Sequence, residues 1–79
     1  MQTKHDIEGQ AEMLAETGFK VEQWNDCQLW AVPNDGVIEW YMLGNTGTHR
    51  ICTEWEGGKI TWNTRVAAHW KGFVKNQNN

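Results

Sequence analysis

The apolar positions of this chain follow one period at its two ends and another in between. Near the start, Ile7, Ala11, Leu14 and Ala15 recur at i, i+4, i+7 and i+8, which is one apolar stripe on a helix. Thr3-Lys4-His5-Asp6 has capping-box spacing, with Thr3 as N-cap. Asp6 and Glu8 fall where a helix N-terminus favours negative charge. Gly18 follows as a C′ stop, so the pattern predicts a helix over 4–17.

From Phe19 the period shortens to two. Phe19, Val21 and Gln23 fall on one face of a strand, and Lys20, Glu22 and Trp24 on the other. Asn25-Asp26 supplies a tight turn into a second strand, Gln28 to Val32, which Pro33 is expected to end. Asn34-Asp35-Gly36 is a hairpin signal. It leads into Val37-Ile38-Glu39-Trp40-Tyr41-Met42-Leu43, the longest run of β-branched and aromatic residues. Large side chains on both faces suit a central strand, covered on at least one side. Gly44-Asn45-Thr46-Gly47-Thr48 reads as a loop and 49–55 as a fourth strand. Glu56-Gly57-Gly58 then turns the chain into a short fifth strand, Lys59 to Trp62. Short connections throughout imply an antiparallel meander.

The helical period returns with Val66, Trp70, Phe73 and Val74 at i, i+4, i+7 and i+8, behind a cap at Asn63 or Thr64. Gly72 weakens this helix, which is expected to end near it, leaving 75–79 as a frayed polar tail. The expected fold is therefore a single α+β domain over 1–79: an N-terminal helix, a five-stranded antiparallel β-meander and a short C-terminal helix. The helices are expected mainly on one face. That leaves either Ile38, Trp40 and Met42 or Val37, Glu39, Tyr41 and Leu43 partly exposed on the other.

Composition sharpens this in two ways. A chain of 79 residues has a thin core, and its six tryptophans are a ready means of thickening it. The net charge is −3, and the seven Lys/Arg residues are scattered, with no block to neutralise a phosphate backbone. Direct nucleic-acid binding is disfavoured, and an acidic protein more naturally meets a basic surface. The polar start is no signal peptide, and no apolar run approaches a membrane span. The chain is expected to be cytoplasmic, with Cys27 and Cys52 reduced and buried.

The catalytic and metal-binding readings are poor. His49 and Cys52 have a short ligand-like spacing, but on a regular strand they point to opposite faces. A zinc site would also need Cys27 and His5 or His69, from other elements, and no CxxC or HxxxH pair exists. Nothing places a thiol at a helix N-terminus beside a histidine and Asp26 or Asp35. The glycine-bearing loop 44–48 lies between strands, whereas a phosphate loop opens onto a helix. No enzyme activity, cofactor or metal is expected.

What remains is surface chemistry. Glu8, Glu12 and Glu16 recur at i, i+4 and i+8, a spacing at which like charges repel. The row is either an ordinary solvated face or an acidic patch for a basic partner. Together with Glu39, Tyr41 and Trp24, it forms the expected partner-binding set: aromatic anchors and carboxylates. The expected function is a small acidic protein-binding module, an inhibitor that occupies a basic, nucleic-acid-binding site on a larger host complex. In size, acidity and lack of catalytic residues the chain is similar to the small inhibitors of phages and mobile elements, anti-CRISPR proteins included. That likeness is one of type and covers no motif. The alternative is a module whose tryptophans stack on a sugar or a base. Such a surface should carry Lys/Arg among its aromatics, and here Glu39, Glu54 and Glu56 interleave instead.

Overall fold

The computed structural model describes residues 4–63 and 65–77, without the side chains of residues 4–7. The element order is α1 (Lys4–Ala15), β1 (Phe19–Trp24), β2 (Cys27–Asn34), β3 (Val37–Gly44), β4 (Gly47–Glu54), β5 (Ile60–Trp62) and α2 (Ala68–Gln77). The strands form one antiparallel sheet in the order β1-β2-β3-β4-β5, so β3 is central as its sequence implies. The α+β architecture, the meander and both helices match the expectation.

Turn chemistry fixes the hairpins. Asn34 pairs with Val37 across Asp35-Gly36, whose φ angles of 50° and 84° suit the two-residue turn that Asp-Gly favours. The β3–β4 connection is tighter than expected. Gly44 pairs with Gly47 across Asn45-Thr46, so β4 begins at Gly47 and Trp55 falls outside it. Pro33 does not end β2. It pairs with Ile38 on the β3 side, while β1 pairing stops at Ala31, so no second neighbour flanks it at this level.

The helices differ from expectation in placement. They cover opposite faces of the sheet, not mainly one. Trp70 and Val74 of α2 pack with Leu29, Ala31, Trp40, Ile51 and Cys52. Helix α1 lies over the other face: Thr48, the cross-strand partner of Leu43, donates a hydrogen bond to Gln10 at 2.6 Å. Neither side set of β3 is therefore bare. Trp40 is 3% exposed under α2, and Leu43 is fully buried on the α1 side.

Gly18 marks how closely α1 is seated. Its φ lies outside the left-handed region, so it is no αL cap. A Cβ there would meet the Ala31 carbonyl oxygen at 2.5 Å and a Val32 methyl at 2.7 Å. The residue is needed for space. The helix itself ends at Ala15, and the Gly18 N–H donates to the Leu14 carbonyl at 2.7 Å. Thr3, the expected cap, lies outside the described residues. Helix α2 starts later than expected, at Ala68, and runs through Gly72 and on to Gln77. Gly72 is exposed and Val74 is fully buried, so packing outweighs the weak propensity of one glycine.

Two bulges invert the side-chain alternation. Lys20 pairs with Trp30 and Glu22 with Leu29, so Val21 is an extra residue in β1 and Lys20 and Glu22 fall on opposite faces. Trp40 pairs with Cys52 and Tyr41 with Arg50, so Ile51 is an extra residue in β4. This second bulge brings His49 and Cys52 to the same face, against the expectation for a regular strand.

Candidate functional site

The groove-forming surface lies where α1 crosses the sheet. At about 100° per residue, Glu8 and Glu12 point away from the Ala11–Leu14 side of the helix, and Glu16 follows in the turn after Ala15. All three are exposed. Among the described side chains one ion pair forms, Arg50 with Glu39, and none of the three glutamates takes part in it. Beside this row stands Met13, 69% exposed. Between Met13 and strands β3 and β4 runs a groove of about 340 Å³, lined by Gln10, Met13, Leu14, Tyr41 and Thr48.

The other expected partner residues do not all join this surface. Tyr41 does, as one wall of the groove. Glu39 lies on the same sheet face but is neutralised within it. It accepts hydrogen bonds from Arg50 at 3.2 Å and Thr53 at 2.8 Å. Thr53 is buried, so its hydroxyl needs that acceptor. Trp24 is on the opposite face: it pairs with Cys27 and stacks on His69 of α2, ring centroids 4.0 Å apart. The six residues therefore separate into an acidic row, a groove wall, an internal ion pair and a distant aromatic.

The tryptophans divide in the same way. Trp30, Trp40 and Trp70 are buried core. The Trp40 indole N–H donates to Glu54 at 3.1 Å, and that of Trp30 to Gln28 at 2.9 Å. Trp24 (41%) and Trp55 (48%) are the exposed ones. Trp55 donates to Thr61 at 2.9 Å, and Thr61 pairs with Thr53 on the α1 side of the sheet. The two exposed indoles thus sit on opposite faces and make no shared stacking platform.

A second hollow, of about 290 Å³, lies on the α2 side at the start of that helix, lined by His49, Asn63, Arg65, Val66 and Trp70 among others. Its polar groups are partly spent: Asn63 donates to the Arg50 carbonyl, and His49 meets Thr46 at 3.0 Å. Among the described residues no group of three His, Cys, Asp or Glu side chains could hold a metal ion. Cys27 and Cys52 are free thiols on β2 and β4, with β3 between them. Burial, then the Glu54 and Glu39 carboxylates, pushes the Cys52 thiol up to about 12, which suits an inert core group and not a nucleophile. No helix among the described residues is long and apolar enough to cross a membrane.

The sequence reading missed Met13 and the groove beside it. The signal was present: Met13 lies about 100° from Leu14, off the apolar stripe, so a large apolar side chain there faces solvent. No family model, curated protein or solved structure matches this chain.

Proposed function

We propose that this chain is a non-catalytic protein-binding module that docks on a basic protein surface, as an inhibitor occupying a nucleic-acid-binding site would. The observation that carries the reading is the contrast between its carboxylates. Glu39 is held and neutralised by Arg50 and Thr53. Glu8, Glu12 and Glu16 stand exposed in a row, outside the ion pair seen among the described side chains. Glu8 and Glu12 are four residues apart on the helix, where like charges cost a few tenths of a kcal/mol, and a lysine at either position would relieve them. A row of this kind favours encounter with a Lys/Arg surface that otherwise holds phosphates.

The test compares the unaltered chain with Glu12→Lys/Glu16→Lys as baits in nuclease-treated lysate. The unaltered chain should retain a basic, nucleic-acid-binding protein that an added oligonucleotide displaces. Raising salt from about 0.05 to 0.5 M should weaken that binding far more than binding by the double variant, because screening shortens to a few Å. Equal retention and equal salt dependence for the two baits would end the acidic-docking reading.

A sugar- or base-stacking surface cannot use both exposed indoles together, because Trp24 and Trp55 are on opposite faces.

A further inference from the structure

Resting on the acidic-docking reading, we propose that the groove between α1 and strands β3 and β4 receives one bulky apolar side chain from a Lys/Arg-rich helix. That helix lies along the outer edge of α1. The groove mouth borders the carboxylates at the C-terminal end of the helix. Met13 is one residue after Glu12, about 100° around the helix from it, and its carbonyl accepts the Glu16 N–H at 3.3 Å in the turn that follows. A partner seated against Glu12 and Glu16 therefore meets Met13 and the groove mouth at the same time.

The groove is suited to a side chain and not to a polar small molecule. At about 340 Å³ it is at the small end of ligand cavities, which run about 300–1,000 Å³. Among the described side chains none of its lining residues is charged at neutral pH: they are Gln10, Met13, Leu14, Tyr41 and Thr48. The Thr48 hydroxyl is already spent on Gln10. What the groove offers is a thioether, an isobutyl group and an aromatic ring. Met13 is flexible and polarisable, the kind of side chain that adapts to an incoming apolar group. It is also the most exposed large apolar residue of the described chain, at 69%.

The charge of the rim selects the partner. A second copy of this chain would bring another acidic row against the first. A Lys/Arg-rich helix brings several cations along one face, and two of them can meet Glu12 and Glu16 while one apolar residue of that helix enters the groove. Anchor and charges then have separate roles: the row speeds encounter, and the anchor slows release.

Two synthetic lysine-rich helical peptides test this, alike except for one Leu or one Ala on the face turned to the groove. They are titrated into the full chain and into Glu12→Lys/Glu16→Lys, with 15N amide and methionine-methyl NMR as the readout. The Leu peptide should bind the unaltered chain about 10- to 100-fold more tightly than the Ala peptide, the equivalent of burying one large aliphatic group. Resonances of Met13, Leu14, Tyr41 and Thr48 should move with the Leu peptide and stay with the Ala peptide. Met13→Ser, a change at an exposed position, should reduce the Leu preference to about threefold or less. Equal affinities for the two peptides, both lost in the glutamate variant, would overturn the groove and leave acidic docking standing. A Leu preference that persists unchanged in the glutamate variant would overturn acidic docking and leave the groove. Concentration-dependent self-association that broadens Met13 and Tyr41 without peptide would assign the groove to a second copy and overturn the proposal.

Discussion

The two faces of the sheet are covered by helices of comparable length, and to different depth. Under α2, Trp70 and Val74 are buried against Leu29, Ala31, Trp40, Ile51 and Cys52, and Val21, Ile60, Trp62 and Phe73 pack around them. Under α1, Ala11 and Leu14 are only half-buried, Ala15 is exposed, and an open groove remains beside Tyr41. A side-chain hydrogen bond, Thr48 to Gln10, ties α1 to β4. Among the described side chains, one face therefore carries most of the dry packing in this thin domain. The other is closed well enough to bury Trp30 and Leu43 and still keeps a ledge of apolar and acidic groups at its rim. A domain of this size can sustain one well-packed face and give up part of the second to binding.

The largest effect that would break this comparison is in the α2 core. Trp40→Ala should destabilise the fold by about 3–5 kcal/mol, because it removes a buried aromatic and the indole N–H bonded to Glu54. Leu14→Ala, on the α1 side, should cost about 1–2 kcal/mol, as for a half-buried aliphatic. Urea melts of the two variants would decide it. Equal losses would mean that the two faces contribute alike.

Alkali should expose the same asymmetry. The Cys52 thiol is raised from 9.0 to about 12 in the fold, chiefly by burial and then by the Glu54 and Glu39 carboxylates. The unfolded chain therefore loses this proton first. The stability linked to Cys52 is fully present below about pH 9 and declines as the pH approaches about 12. Melts from pH 8 to 11 should show a steeper loss for the unaltered chain than for Cys52→Ala. Coincident slopes would show that this side of the sheet admits the thiolate.

The seating of α1 can be tested at Gly18. Gly18→Ala should cost about 1–3 kcal/mol, since its Cβ would press on the Ala31 carbonyl and Val32. A neutral result would mean that α1 shifts freely over its face. The opposite sign is expected at Gly9 and Gly72, both exposed and with nothing within 4 Å of an added Cβ. Gly9→Ala and Gly72→Ala should each stabilise by about 0.5–1 kcal/mol through helix propensity and the unfolded state. A loss at either site would point to a backbone role for that glycine.

The smallest effect lies at the rim. Glu12→Lys/Glu16→Lys should leave the fold unchanged or firmer by a few tenths of a kcal/mol, by relieving repulsion along the row. A clear destabilisation would show that these carboxylates hold α1 in place and are not a solvent-facing row.

Much of this fold is local, and to that extent it was legible in the sequence. The period change at Phe19, the Asp35-Gly36 turn and the stripe at Val66, Trp70, Phe73 and Val74 depend on backbone sterics and on which residues alternate, so they announce the helix–meander–helix order directly. The exposure of Glu8 and Glu12 is likewise a matter of spacing along one helix, while Glu16 falls in the turn just past its end. Tertiary structure decided the rest. Extra residues at Val21 and Ile51 inverted the faces of β1 and β4, which no period-two count can foresee. The close approach of α1 at Gly18 and the burial of Trp70 and Val74 sent the helices to opposite faces. That separation took Trp24 away from the row, and the cross-strand pairing gave Glu39 to Arg50 and Thr53. Local periodicity names the elements because it is written between neighbours. The groove beside Met13 is made between elements distant in sequence, and only their packing together could create it.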